Sequence, residues 1–301
     1  MKYLASLLAL VVLYACTNSP RMTDEELKTY SREVDAWHLD RINTLRSEEG
    51  WLNLAGLFWL SPGINTLGTG EDQDIRFPEG SIPVSAGVLL LNNGKVTARF
   101  SSSSGILVNG QQLSEAIVFD KDSVKKMVME SGTYRWTIIK REDKYGIRLR
   151  DLAHPRLEKF KGIERFELNP EMKFEATLMV ADTIKTIPIT NVLGQTTQQY
   201  SPGTIRFTFE GKSNTLDLID EGDGGDYFIV FGDKTNGKTT YDAGRFLYVK
   251  RPGADGMITL DFNKSFNPPC AFSPFATCPL PPLQNILDLM IEAGEKKVHL
   301  D

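Results

Sequence analysis

Histidine and cysteine are scarce: each occurs three times in 301 residues. His38 lies in a stretch of helical periodicity and His154 in a loop, while His299 falls in the last three residues, where chain order is usually poor. Cys16 stands far from Cys270 and Cys278, which have no histidine near them, so no His/Cys group has zinc spacing and no cofactor or metal is expected. Positive charge is not in excess either. Lys and Arg number 34 against 39 Asp and Glu, a net charge of -5, which argues against nucleic acid as a partner. Beyond the first sixteen residues no apolar run approaches the ~20 residues of a membrane span. No internal period of repeat length is present. Ser101 to Ser104 have no strand-to-helix elbow of the Gly-x-Ser-x-Gly type, which counts against a Ser-His-Asp hydrolase using Asp151 and His154. Asp220-Glu-Gly-Asp-Gly-Gly-Asp226 has Phe231 where a calcium loop needs its closing glutamate, so it reads as an acidic hairpin turn.

What is present begins with an address. Lys2 gives a short positive region, Leu4 to Leu13 form an apolar run of signal-peptide length, and Leu13-Tyr14-Ala15-Cys16 resembles the lipobox of bacterial lipoproteins. Residues 1–15 are therefore expected to be a lipoprotein signal peptide. Cys16 becomes the lipidated N-terminus and holds the protein to a membrane of the bacterial cell envelope. The other reading is a plain secretory signal cut near Ala15, and both imply export. Composition is ordinary for a globular protein, with 41% hydrophobic and 24% charged residues.

Residues 16–49 read as a tether and an amphipathic helix. Thr23 and Glu26 make a capping box, and Leu27, Tyr30, Val34, Trp37, Arg41 and Leu45 follow at three-and-four spacing. From Trp51 the period changes to short strands separated by Gly, Pro, Asn and Ser, including the hairpin signal Asn92-Asn93-Gly94. Within residues 50–125, the pieces Gly63-Ile-Asn-Thr-Leu-Gly68, Asp74-Ile-Arg-Phe-Pro78, Ser85 and Val108-Asn109-Gly110 resemble a forkhead-associated domain. That family reads phosphothreonine with an arginine after the glycine matching Gly68 and a histidine three residues after the serine. Here Thr69 and Val88 stand there, so the resemblance implies the fold and not phosphopeptide binding.

Residues 126–301 form a second β unit. It contains a proline-rich loop and, over Leu283, Ile286, Leu287, Met290 and Ile291, a predicted helix between Pro281-Pro282 and Gly294. The loop from Asp261 to Pro282 carries six prolines and four phenylalanines. It lacks the donors for a central strand, so side-chain docking must order it. Cys270 and Cys278 within it are expected to form a disulfide, which the chain-entropy argument values at about 2.5 kcal/mol. A pair of buried thiols is the alternative. The prediction for the whole is an all-β fold: two packed β-sandwich or barrel-like units, with a helix near each end.

The richest polar set lies at predicted strand ends beside the loop. Asp233, Tyr241, Arg245, Asp261 and Asn263, with Asp151 from the earlier run, are candidate ligand-binding residues. A structural network serving the loop backbone is the competing reading. Several stretches here resemble domain of unknown function family 1684: Gly50-Trp-Leu-Asn-Leu-Ala-Gly-Leu-Phe-Trp59, Asp233-Lys-Thr-Asn-Gly237, Tyr241-Asp-Ala-Gly-Arg-Phe-Leu247, Asp261-Phe-Asn-Lys-Ser-Phe-Asn-Pro-Pro-Cys270, Cys278-Pro-Leu-Pro-Pro282 and Glu292-Ala-Gly-Glu295. The resemblance spans nearly everything after Glu49 and implies no particular activity. Members without an export signal carry similar cysteines, which favours thiols. Two functions stay open. One is a non-catalytic envelope module for a small polar ligand, a glycan or a partner protein. The other is a hydrolase using Asp151, Asp233 or Asp261 as general acid or base, with Arg245 polarising the substrate.

Overall fold

The computed structural model describes residues 22–298, so Cys16, its apolar leader and His299 lie outside the described residues. Helix α1 (Asp24–Arg46) opens with the expected capping box. The Glu26 N–H donates to Thr23 Oγ1 at 3.3 Å and the Thr23 N–H to Glu26 Oε2 at 2.8 Å. The helix buries Tyr30, Val34 and Leu45.

Ten strands follow: β1 (Leu54–Trp59), β2 (Gly63–Gly68), β3 (Ile75–Arg76), β4 (Gly87–Asn92), β5 (Lys95–Phe100), β6 (Leu107–Val108), β7 (Glu115–Asp120), β8 (Met129–Ser131), β9 (Tyr134–Arg141) and β10 (Lys144–Asp151). They form two five-stranded sheets, ordered β1-β10-β9-β8-β6 and β3-β2-β4-β5-β7. Alternation decides the faces: along β5, Val96, Ala98 and Phe100 point in while Lys95 and Arg99 point out. The β4–β5 hairpin turns on Asn93 and Gly94, both at positive φ (50° and 78°), as a primed two-residue turn requires. One core fills the space between the sheets, running from Leu60 to Leu149 with Trp136 and Phe77 among its members. The first unit therefore continues to Asp151, past the division at 125/126 read from the sequence.

After a short helix, α2 (Pro155–Lys159), come β11 (Lys173–Thr190), β12 (Thr196–Phe209), β13 (Lys212–Asp217), β14 (Tyr227–Phe231), β15 (Arg245–Val249) and β16 (Met257–Asp261). They make a four-stranded sheet, β13-β12-β11-β16, and a two-stranded one, β14-β15. All five residues of β14 are buried. Tyr227, Ile229 and Phe231 enter one core, Phe228 and Val230 another, so apolar residues are needed at every position.

The all-β, barrel-like description needs correction. Four sheets are present among the described residues, each is an open array, and the 23-residue α1 is a genuine helical layer. The expected C-terminal helix is absent. Leu283–Asn285 is a single 3-10 turn, and the chain then runs extended, with Leu287, Leu289, Ile291 and Ala293 buried and Asp288, Met290 and Glu292 exposed between them. Period two wins over period 3.6 because this segment lies along the loop after β14, where Leu287 N–H bonds Gly232 O and Lys234 N–H bonds Leu289 O, both at 2.8 Å. Leu287 and Ile291 satisfy both periods, which is why the pattern misleads.

The proline-rich loop is ordered by side chains, as expected. Phe262 and Phe272 are buried, and Phe266 stacks on Tyr248 with ring centres 6.0 Å apart.

Candidate functional site

The structure divides the six polar candidates among separate places. Arg245 begins β15, and Asp233 follows β14, so strand pairing brings them together. Arg245 Nη2 donates to Asp233 Oδ2 at 2.9 Å, and both side chains are wholly buried. The same guanidinium donates to Ile291 O at 2.8 Å and Ala293 O at 2.5 Å. Asp233 Oδ1 accepts the Thr235 N–H and hydroxyl at 2.7 and 2.5 Å. This is a filled interior whose polar groups mostly serve one another, with the buried Arg245 Nε left without a partner among the described residues.

Asp261 and Asn263 form a second cluster at the end of β16. Tyr30 of α1 donates its hydroxyl to Asp261 Oδ1 at 2.7 Å, and Asn263 Nδ2 donates to the Tyr30 oxygen at 3.0 Å and to Asn169 O at 2.8 Å. Burial, then the Asp261 carboxylate, raises the Tyr30 phenol above its ordinary range. Asp151 lies in the other half of the molecule. It is the last residue of β10, accepting Thr133 Oγ1 at 2.8 Å and Ala153 N–H at 3.0 Å. His154 caps α2, accepting the Arg156 N–H at 3.2 Å. Tyr241 is half-buried, and its phenol is pushed up to about 12 by burial and then by the neighbouring Cys270 and Cys278. Those cysteines are free thiols in the structure, where a disulfide was expected, with the Cys270 N–H donating to Cys278 Sγ at 3.0 Å.

A buried carboxylate and a partly buried arginine missed by the sequence reading join the parts. Glu295 is fully buried; its carboxylate accepts the Asn267 N–H at 2.7 Å and Arg41 Nε at 3.3 Å. Arg41 also donates to Asn267 O at 2.9 Å and lies 4.7 Å from the Phe266 ring centre. Burial raises the Glu295 carboxyl, with Arg41, the Asn267 N–H and Arg245 opposing it. Helix α1, the proline-rich loop and the C-terminal segment thus meet at one carboxylate. The available signal was Arg41, a cation standing inside the apolar stripe of α1.

A different set remains less satisfied. Arg148 and Arg150 alternate with the inward Ile147 and Leu149 on β10, so they project from the outer face of the first unit's sheet. Trp51 covers them, its ring centre 5.0 Å from Arg148 Cζ and 6.0 Å from Arg150 Cζ. Arg150 is engaged: it donates to Gly50 O and, at 2.8 Å, to Asn53 Oδ1. The buried Nε of Arg148 has no partner among the described residues. The sequence signal was the Arg-Leu-Arg alternation at the end of β10.

A family described as "Protein of unknown function (DUF1684)" matches residues 158–296. The match takes in the Arg245 and Asp261 clusters and the proline-rich loop; it begins later than the Glu49 start suggested by the motifs and leaves Trp51 and Arg148 outside. The chain is also similar to an uncharacterised protein of Haloarcula marismortui with a solution NMR structure, at 33% identity over 46% of this chain and 78% of that one, with a TM-score of 0.40. No curated protein matches. By the match over residues 158–296, the chain belongs to the DUF1684 family.

Proposed function

We propose that the protein is an exported lipoprotein, held to a membrane of the cell envelope through Cys16, that binds a small polar ligand without converting it. One observation carries the non-catalytic part: Asp233, Arg245 and Asp261, three of the four groups a hydrolase would have used, are committed to buried partners. Asp233 and Arg245 have side chains with no exposure, and Asp261 is capped by Tyr30 and Asn263. A general acid or base must reach the proton it moves, and a group sealed in a packed interior does not. The export part rests on the leader sequence, which ends in Leu-Tyr-Ala-Cys16.

The test has two arms. Cys16→Ser expressed in a lipoprotein-processing bacterium should lose fatty-acid label and leave the membrane fraction; a mutant that still partitions into detergent like wild type removes the anchor. Purified protein should show saturable stabilisation by a small polar compound without consuming it. Turnover of an ester, amide or glycoside that is lost in Asp151→Asn or Asp261→Asn would establish the hydrolase instead.

A further inference from the structure

The cleft beside Arg148 and Arg150 has more positive than negative charge in its lining. Its lining residues include Lys126, Arg135, Arg148 and Arg150, with Glu49 as the lining carboxylate. Three of the four cations have acidic neighbours. Lys126 sits 2.9 Å from Glu49, Arg135 2.7 Å from Glu130, and Arg150 3.9 Å from Glu49. Arg148 has none within ion-pair distance among the described residues. Cys278 lies near it, its thiol held far above the ordinary range by Cys270 and then by burial. Burial, then Arg141 and Arg150, push the Arg148 guanidinium down to about 10. A partly buried cation between two others is costly unless an anion or a set of acceptors completes it. The Trp51 face compensates in part. It leaves the edge of the guanidinium, with its parallel N–H groups, unused.

We propose that this cleft is a binding site for a small oxyanion, a carboxylate or phosphate group held in the plane of the Arg148 guanidinium with Trp51 stacked behind it. This rests on the binding-module reading above and names its site and ligand class. Guanidinium geometry suits a two-oxygen partner, and Trp51 fixes its plane. The cavity holds about 270 Å³, a little under the usual range for ligand pockets, which fits a small acid and not a polymer segment. Its position adds a second reason. Trp51 packs at once against the core holding Cys278 and the core holding Phe272, so an anion there would lock the first β unit against the proline-rich loop.

Calorimetric titration of the purified protein with inorganic phosphate and with propionate, each against sodium chloride at equal ionic strength, tests this. At least one should bind saturably and raise the melting temperature. Arg148→Gln should weaken that binding tenfold or more while leaving the free protein as stable as wild type or more so, since it removes an uncompensated charge. Arg148→Lys, which keeps the charge but not the fork, should recover little. Independently of any variant, the bound anion should protect Arg148 from phenylglyoxal, as read by peptide mass spectrometry. Absence of saturable binding by either anion overturns the proposal. So does protection mapping to other arginines, or an isotherm unchanged in Arg148→Gln; both would leave the binding-module reading standing. Conversely, binding at Arg148 combined with turnover of a phosphate or carboxylate ester would keep this site and sink the non-catalytic reading.

Discussion

The Arg245 guanidinium lies 2.9 Å from the Asp233 carboxylate, and neither side chain is exposed. The two residues bracket the loop between β14 and β15, and their remaining atoms hold the extended C-terminal segment through Ile291 and Ala293. A buried ion pair is not in itself strong evidence for net stabilisation, because desolvation offsets most of the attraction. Its removal on one side is another matter. Arg245→Ala leaves a buried carboxylate and two carbonyls without their donors, and should destabilise the fold by roughly 3–5 kcal/mol in urea unfolding. An unchanged midpoint would show that the network is not structural and return Arg245 to the list of ligand-binding candidates.

Tyr30→Phe isolates the second cluster. It deletes one oxygen, removing the donor to Asp261 Oδ1 and one acceptor of Asn263 Nδ2, while the ring still packs. The expected loss is about 1–3 kcal/mol, the penalty for leaving a buried polar group short of a partner. Because this hydroxyl ties α1 to the end of β16, amide exchange should also quicken across residues 24–46 more than in the first β unit. A loss confined to a few tenths of a kcal/mol would mean that α1 is held by its apolar face alone.

Local signals carried much of the fold. The capping box at Thr23, the Asn93-Gly94 turn and the alternation along β5 are decided by residues close in sequence, and each stands as expected. The C-terminal segment was misread because Leu287 and Ile291 fit helix and strand spacing alike, and only the distant Gly232 and Lys234 backbones choose between them. For the polar site, sequence proximity singled out the right residues and suggested the wrong surroundings. Asp233, Arg245 and Asp261 do sit beside the proline-rich loop, yet Arg41, Tyr30 and Glu295, more than thirty residues away in the chain, are what enclose the set. Burial of that kind depends on tertiary closure, which no local pattern encodes.

Asp217 gives the pH dependence a definite sign. It is largely buried, which alone would raise its carboxyl, but the Lys185 ammonium at 2.6 Å, Thr204 Oγ1 at 2.5 Å and Gln284 Nε2 at 3.1 Å together hold it below the ordinary aspartate value. A lowered folded-state value means that the unfolded chain takes up the proton first. The associated stability is therefore fully present above about pH 4 and is lost as pH falls through the depressed folded value. Asp217→Asn should be less stable at neutral pH and show a shallower acid decline than wild type in melts between pH 2 and 6. Parallel acid limbs would show that Asp217 titrates normally.

Cys270 and Cys278 are adjacent thiols in the structure, and export would bring them into an oxidising compartment. Unreduced protein taken from the envelope should yield the two peptides cross-linked, and reduction should lower its stability by about 2.5 kcal/mol. Recovery of both as alkylatable thiols would assign them to the packing of the Tyr241 neighbourhood, with the role of small apolar groups.

The anchoring of the proline-rich loop can be tested through the unequal burial of its phenylalanines. Phe272 is 1% exposed, meets Phe160 edge-on at 6.3 Å and lies 5.5 Å from the Arg41 guanidinium carbon, whereas Phe275 is only partly buried. Phe272→Ala should therefore cost about 3–5 kcal/mol, with the full cavity term, and Phe275→Ala clearly less. The loop's backbone pairs with strands only at isolated bridges such as Phe246–Phe266, and its prolines lack the donors to extend them. Loss of Phe272 should accordingly free the segment as a whole, seen as faster proteolysis between Pro268 and Pro282. If both substitutions leave unfolding and proteolysis unchanged, the loop is held by its bridge between Phe246 and Phe266 and by the Glu295 contact to Asn267, and not by Phe272.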